Sequence, residues 1–298
     1  MTAPSRRRRI STRTFTRRAA AVGRRVSSPA RALPDFLVIG AQRGGTSALY
    51  SSLGAHPGVA PAAHKELHFF DLHHHRGVRW YRAQFPLRST LRRMSRQGPG
   101  PGVTGEASPY YLAHPLAPVR AHELVPNARL VALLRNPTDR AYSHWRYRVG
   151  RGGEHLSFLD AVRAEPDRIR GEEERILAGR DRPGAPHQTR SYLGRGRYAE
   201  QLERWFRHYP RHRVLLLRSE ELFAEPARAW DRLTSFLGLG SAPPPPFVAQ
   251  NASTGAELDG GARRLVDDLL AADNQRLLEL TGIDVTAPVT TAGRAARG

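Results

Sequence analysis

Short unbroken apolar runs alternate with amphipathic stretches through most of the chain, and that alternation predicts the class of fold. Phe36 to Gly40 (FLVIG), Arg129 to Leu134 (RLVALL) and Arg213 to Leu217 (RVLLL) read as buried strands. The first is followed by a glycine-bearing turn and a helical pattern through Leu49, Tyr50 and Leu53. The second passes through Asn136-Pro137 into an amphipathic stretch ending near Tyr147, and the third lies between helical patterns at Tyr198 to His208 and Pro226 to Leu237. Strands that are apolar on both faces and separated by helices predict an α/β fold, with a central parallel sheet carrying helices on both faces. Pro243 to Pro246 is a stiff spacer, and Ala262 to Leu280 is an amphipathic helix that closes the domain. Gly152 to Arg195 is polar and has no strand signal, which predicts a peripheral helical excursion bordering an acceptor cleft.

Charge divides the chain. Half of the net charge of +20 lies in residues 1–34, which contain ten Arg and no acidic residue. Such a segment cannot bury enough surface to fold alone, so residues 1–34 are expected to be a disordered basic tail, 35–285 the domain and 286–298 a flexible end. A nucleic-acid arm, a membrane arm or a transit peptide shares the tail's composition. No apolar run is long enough to predict a transmembrane segment, and there is no apolar core of a secretory signal, so the expected location is cytoplasmic. Cysteine is absent, which removes thiolate chemistry and cysteine-ligated zinc. Lys65 is the single lysine among 47 basic residues, so Arg is expected where related chains carry Lys.

Gly40 to Ser47 reads GAQRGGTS, with the spacing of a GxxxxGK[ST] phosphate loop but with Thr46 in the lysine position and the cation moved to Arg43. Between a strand and a helix, such a loop turns its backbone N–H groups toward an anion, although a glycine turn kept for packing has the same letters. A phosphotransferase of the kinase type also needs the lysine and an acidic magnesium ligand, whereas the strand ending at Leu134 is followed by the cation Arg135. Arg135 and Ser143, two helical turns apart, suit a second phosphate; read alone they also describe a helix cap with a surface ion pair. In Lys65 to Asp71 (KELHFFD), Glu66 and His68 alternate with Leu67 and Phe69, which predicts a strand with one wet face and a carboxylate able to act as base. His73 to His75 is read as solvated loop, since adjacent histidines point in different directions.

Together these segments resemble the sulfotransferases that use 3'-phosphoadenosine-5'-phosphosulfate (PAPS), in particular the heparan sulfate N- and 3-O-sulfotransferase type. Phe36 to Pro57 looks like that family's P-loop-like phosphosulfate-binding loop, Leu130 to Trp145 like its 3'-phosphate motif, and Lys65 to Asp71 and Gly77 to Tyr81 like the sequence between. The resemblance implies that Arg43, Gly44, Gly45, Thr46 and Ser47 hold the 5'-phosphosulfate and that Arg135 and Ser143 hold the 3'-phosphate. It further implies that Glu66 is the base, assisted by His68 and Asp71, that Arg43 is a catalytic residue at the leaving phosphate, and that Lys65, Asp71 and Trp80 face the acceptor. PAPS is then the donor, PAP (3'-phosphoadenosine 5'-phosphate) the product, and a glycan or other small molecule the acceptor, with no metal and no nucleic-acid partner; oligomeric state is left open. The family usually carries Lys where Arg43 stands, and Arg stabilises charge but is a poor proton donor. Ala107 stands where the polysaccharide enzymes carry Lys, and Asn251 to Gly255 is the candidate for the late loop over the nucleotide. A kinase-like phosphotransferase and a basic nucleic-acid-binding protein are the competing readings.

Overall fold

The computed structural model describes residues 22–98, 100–247 and 257–289. Its centre is one sheet made of β1 (Phe36–Gly40), β2 (Gly105–Ala107), β3 (Arg129–Leu134) and β4 (Val214–Arg218), in the order β2-β1-β3-β4. Every pairing is parallel, with Phe36 opposite both Gly105 and Arg129, and Leu130 opposite Val214. All four strands therefore bring their carboxyl ends to one edge, where ligand sites of open α/β sheets form.

Helices cover both faces, as the apolar runs predict. Successive strand residues point to opposite faces. Leu37 and Ile39 of β1 enter one core with Leu130, Ala132 and Leu134 of β3. Leu202 and Trp205 from the helix Tyr198–Phe206 and Leu277 from the helix Gly260–Thr281 complete that core. Phe36 and Val38 enter the other core with Val131 and Leu133. There they meet Leu49 and Leu53 of α1 (Thr46–Ala55) and Trp230 and Leu233 of the helix Pro226–Leu237. At about 1.5–3 kcal/mol for each fully buried large apolar side chain, these two interfaces fix the sheet and thereby the edge that carries the site.

Several expectations change. β2 escapes the sequence pattern because it has three residues, one of them a glycine and one a buried glutamate. Lys65 to Asp71 is no strand: Glu66 and His68 have φ of 59° and 51°, and the segment is an irregular loop. Gly152 to Arg195 is more than a peripheral excursion, because Phe158, Val162 and Tyr192 form a third core with Ala141, Val266 and Leu270. The boundary at residue 34 falls inside packed chain. Arg31 Nη1 donates to Phe85 O at 2.6 Å, Ala32 N–H donates to Pro86 O at 2.9 Å, and Ser28 and Ala32 are buried. Val285 is likewise buried and Arg218 reaches Ala287 O, so ordered contacts run to the edge of the C-terminal segment. Residues 1–21, 290–298 and the candidate loop Asn251 to Gly255 lie outside the described residues.

Candidate active site

β1 ends at Gly40 and α1 starts at Thr46, so the chain reverses within five residues. Ala41 N–H donates to Leu133 O at 2.9 Å, and Gly44 N–H donates to Ala41 O at 3.0 Å. Glycine is needed at 44, where a Cβ would lie 2.5 Å from Leu133 O, and at 45, which precedes the helix with φ of 94°. Arg43 also has positive φ, 69°, a conformation uncommon for a residue with a side chain. The N–H of Leu49 returns to Gly45 O at 3.1 Å, leaving those of Thr46, Ser47 and Ala48 as donors at the positive end of the helix dipole. Thr46 is buried and Ser47 half-buried.

The second phosphate candidate meets this loop. Asn136 Oδ1 accepts from the N–H groups of Thr138 and Asp139, at 3.0 and 3.1 Å, and so caps α2 (Pro137–Val149). That start places Ser143 where Arg43 Nε donates to its Oγ at 3.0 Å. Arg135 Nη1 donates to Arg43 O at 3.3 Å, and Tyr198 OH donates to Arg135 O at 3.0 Å. Burial, followed by the charge of Arg135, lowers the pKa of Arg43. Arg43, Ser143 and Arg135, distant in sequence, thus form one cationic cluster beside the helix N-terminus.

The acid loop hangs from the end of β2. Glu66 N–H donates to Ala107 O at 2.9 Å, and His68 N–H donates to Ser108 Oγ at 3.1 Å. Phe69 N–H donates to Tyr111 OH at 2.8 Å. Both of those hydroxyls are held by the fully buried Glu106, which accepts from Ser108 Oγ at 2.7 Å and from Tyr111 OH at 2.8 Å. Left-handed backbone at 66 and 68, rather than strand alternation, turns Glu66 and His68 away from the buried Leu67 and Phe69. His68 Nδ1 lies 2.7 Å from Asp71 Oδ2 and its Nε2 lies 3.6 Å from Glu66 Oε2, while Lys65 Nζ is 2.7 Å from Glu66 Oε1. Although burial opposes it, the hydrogen bond to Asp71 and the nearby Glu66 carboxylate raise the pKa of His68 to about 10. The proximity of His68, then of Lys65, holds Glu66 down at about 2 against its partial burial. Trp80 packs 6.2 Å from Phe69, under the Arg76 guanidinium at 4.2 Å, at the margin of this loop. Among the described residues, no group of His, Asp and Glu has the arrangement of a metal site.

A family model described as a sulfotransferase domain matches residues 33–245. The chain belongs to the sulfotransferase family. It is 32% identical over 220 residues to the bifunctional heparan sulfate N-deacetylase/N-sulfotransferase 3 of Homo sapiens, a match covering 70% of this chain and 22% of that protein. To the heparan sulfate glucosamine 3-O-sulfotransferase 6 of Homo sapiens it is 32% identical over 209 residues, covering 70% of this chain and 53% of that one. The chain thus spans about a fifth and about half of these two relatives. A solved sulfotransferase from Alicyclobacillus acidocaldarius superposes with a TM-score of 0.62 at 28% identity, covering 85% of this chain and 97% of that one.

This sulfotransferase has further buried cations beside the loop that the sequence reading does not single out. Arg140, on α2, has no exposed surface, and its Nε and Nη1 have no hydrogen-bond partner among the described residues. Arg195 is 3% exposed; its Nη1 donates to Gln42 Oε1 of the phosphate loop at 2.6 Å and to Gln188 O at 2.8 Å. Its Nη2 has no hydrogen-bond partner among the described residues. The available signal was local: in YLGRGRY (Tyr192 to Tyr198) an Arg stands between glycines and is flanked by residues of core type.

Proposed function

We propose that this sulfotransferase transfers the sulfuryl group of PAPS to a hydroxyl or amine of a carbohydrate or other small-molecule acceptor. The observation that carries the reading is the bond between Arg43 Nε and Ser143 Oγ, which joins the two candidate phosphate motifs at the sheet edge that also holds Glu66. The residues fit such a donor. A buried guanidinium with unsatisfied donors is costly until it meets an anion, and Arg140 and Arg195 both present such nitrogens beside the helix N-terminus. In this reading Arg43, the close turn at Gly44 and the N–H groups of Gly45, Thr46 and Ser47 bind the 5'-phosphosulfate, and Arg135 and Ser143 bind the 3'-phosphate. Lys65 and Trp80 border the acceptor, whereas Asp71, expected there from the sequence, has a fully buried side chain bound to His68 and Leu72 and acts only through His68.

The acceptor oxygen or nitrogen attacks sulfur, the bond from sulfur to the bridging phosphate oxygen breaks, and the electron pair leaves with PAP. Glu66 takes the acceptor proton, while Asp71 fixes the His68 ring that orients Glu66. The carbohydrate assignment draws support from the two heparan sulfate relatives. Incubation with PAPS and a panel of amino sugars, oligosaccharides and glycosylated metabolites, read by mass, should yield a sulfated product together with PAP. Binding of ATP that depends on Mg²⁺, with no binding of PAP, would overturn the proposal in favour of a phosphotransferase.

A further inference from the structure

Arg195 belongs to neither phosphate motif, yet the fold invests heavily in placing it. It sits in the turn Gly194–Gly196. The buried Glu165 carboxylate accepts from the N–H groups of Tyr192, Leu193 and Gly194, each at 2.7 Å, and Gln201 Nε2 donates to Gly194 O at 2.8 Å. Gly196 is pressed against α2, where a Cβ would stand 3.1 Å from Pro137. A turn tied down on both sides leaves the guanidinium little freedom.

Among the described residues, the contact partners of Arg195 carry no charge. They are Gln42 Oε1, Gln188 O and the Tyr110 ring, 4.8 Å from the guanidinium carbon. His187, hydrogen-bonded to Tyr110 OH at 2.7 Å, is neutral: burial and then Arg195 push its pKa down to about 3. Besides Arg140, the charged groups that Arg195 feels are Asp71 and Glu66, both on the acid loop. Arg43, by contrast, feels Arg135, Arg140 and Arg146. Arg195 thus stands between two regions: it is bonded to Gln42 of the candidate phosphate loop and lies over the Tyr110 ring, next in the chain to the Tyr111 whose hydroxyl holds Phe69 of the acid loop.

We propose that Arg195 is a further residue of the transfer site, supplying fixed positive charge to the sulfuryl group as it passes from the phosphosulfate loop toward Glu66. The proposal rests on the sulfuryl-transfer reading above. A preorganised cation in a buried site needs no reorganisation as charge redistributes, so its weight falls on the transition state more than on the product.

The experiment compares Arg195→Met, which keeps bulk without charge, with Arg195→Lys, which keeps charge without the fork. Turnover with PAPS and PAP affinity by calorimetry are measured for both and for the wild type. Removing one preorganised donor typically costs about 10²-fold or more in turnover, so Arg195→Met should lose about 10² in kcat while its PAP affinity stays within about threefold of wild type. Arg195→Lys should recover most of the rate. Should the methionine variant not fold, Arg195→Gln, which keeps a donor toward Gln188 O, takes its place with the same expectation. The proposal is overturned by a neutral variant that folds and turns over within about threefold of wild type. It is overturned equally by a lysine variant no faster than the neutral one, which would make the tether to Gln42 the whole role. A wild type that binds no PAP and transfers nothing would instead remove the functional reading itself, so the two failures are distinct.

Discussion

Asp71→Asn isolates the charge that holds the acid loop. The Asp71 side chain is fully buried, His68 Nδ1 lies 2.7 Å from its Oδ2, and its Oδ1 accepts from Leu72 N–H at 2.6 Å. An asparagine oxygen preserves the bond from Leu72, so the substitution chiefly removes the counter-charge of His68. The His68 pKa, raised from an ordinary 6.5 to about 10, caps the energy at stake. At about 1.4 kcal/mol for each tenfold in proton affinity, the cap is roughly 5 kcal/mol. Glu66, 48% exposed and 3.6 Å away, carries the smaller share, so Asp71 should account for about 2–4 kcal/mol, in line with breaking a buried ion pair. The sign follows from linkage. A histidine pKa raised by folding adds stability that is complete below the unfolded value near 6.5 and is lost as pH rises through the folded value near 10. Denaturant unfolding of both proteins at several pH values is the assay. The cost of Asp71→Asn should be full at pH 6 and small near pH 10.5. A cost below about 1 kcal/mol at pH 6, or one that does not change with pH, would refute the charged pair.

Glu66→Gln keeps size and hydrogen bonding but cannot accept a proton, so turnover should fall by about 10²–10⁴ with PAP affinity little changed; a wild-type rate would move the base elsewhere. Arg135→Ala should weaken PAP binding by about 2–4 kcal/mol in calorimetry, against roughly 0–1 kcal/mol if Arg135 served a surface ion pair. Deleting residues 1–34 should cost about 2 kcal/mol of unfolding free energy, because Ala32 and Ser28 are buried and Arg31 binds Phe85 O. Unchanged stability of that truncated protein would show these contacts to be incidental.

The legible parts of this fold are those where one physical signal dominates. FLVIG and RLVALL are read as central strands because both faces are buried, and the glycines of the phosphate loop are legible because a close approach and a positive φ exclude side chains. Arg135 and Ser143 could be paired from helical spacing alone, but nothing in that spacing shows that Arg43 is the residue bonded to Ser143. The acid loop mimics a strand in the sequence for a specific reason: left-handed residues at 66 and 68 produce the same alternation of wet and dry side chains as a strand. Glu106 illustrates the other limit. A carboxylate in a three-residue strand gives no pattern, yet through Ser108 and Tyr111 it suspends the backbone of His68 and Phe69. Arg195 was hidden in a polar segment, since its burial depends on a turn held by Glu165 from another helix.

Under the proposed transfer, an arginine at position 43, where the resemblance leads one to expect lysine, becomes intelligible when protons are followed through the site. Arg43 cannot protonate a leaving group at neutral pH, yet the departing group is a phosphate, whose second pKa lies near 6, so it leaves as a stable anion that needs positive charge more than a proton. In the proposed site, Arg43 and the helix N-terminus meet that need. The proton problem lies on the acceptor side, where Glu66 rests at about 2 because His68 and Lys65 already occupy its oxygens. A carboxylate so stabilised is a feeble base toward a free hydroxyl. It becomes adequate in two ways that the geometry permits. An acceptor that draws Lys65 away removes one of the two cations on Glu66 and raises its proton affinity. Once the acceptor oxygen has begun to bond to sulfur, moreover, its own proton becomes strongly acidic and a weak base suffices. In the proposed transfer the resting ion pairs keep Glu66 charged and oriented until an acceptor arrives, and Lys65, 26% exposed against 18% for His68, is the partner positioned to yield.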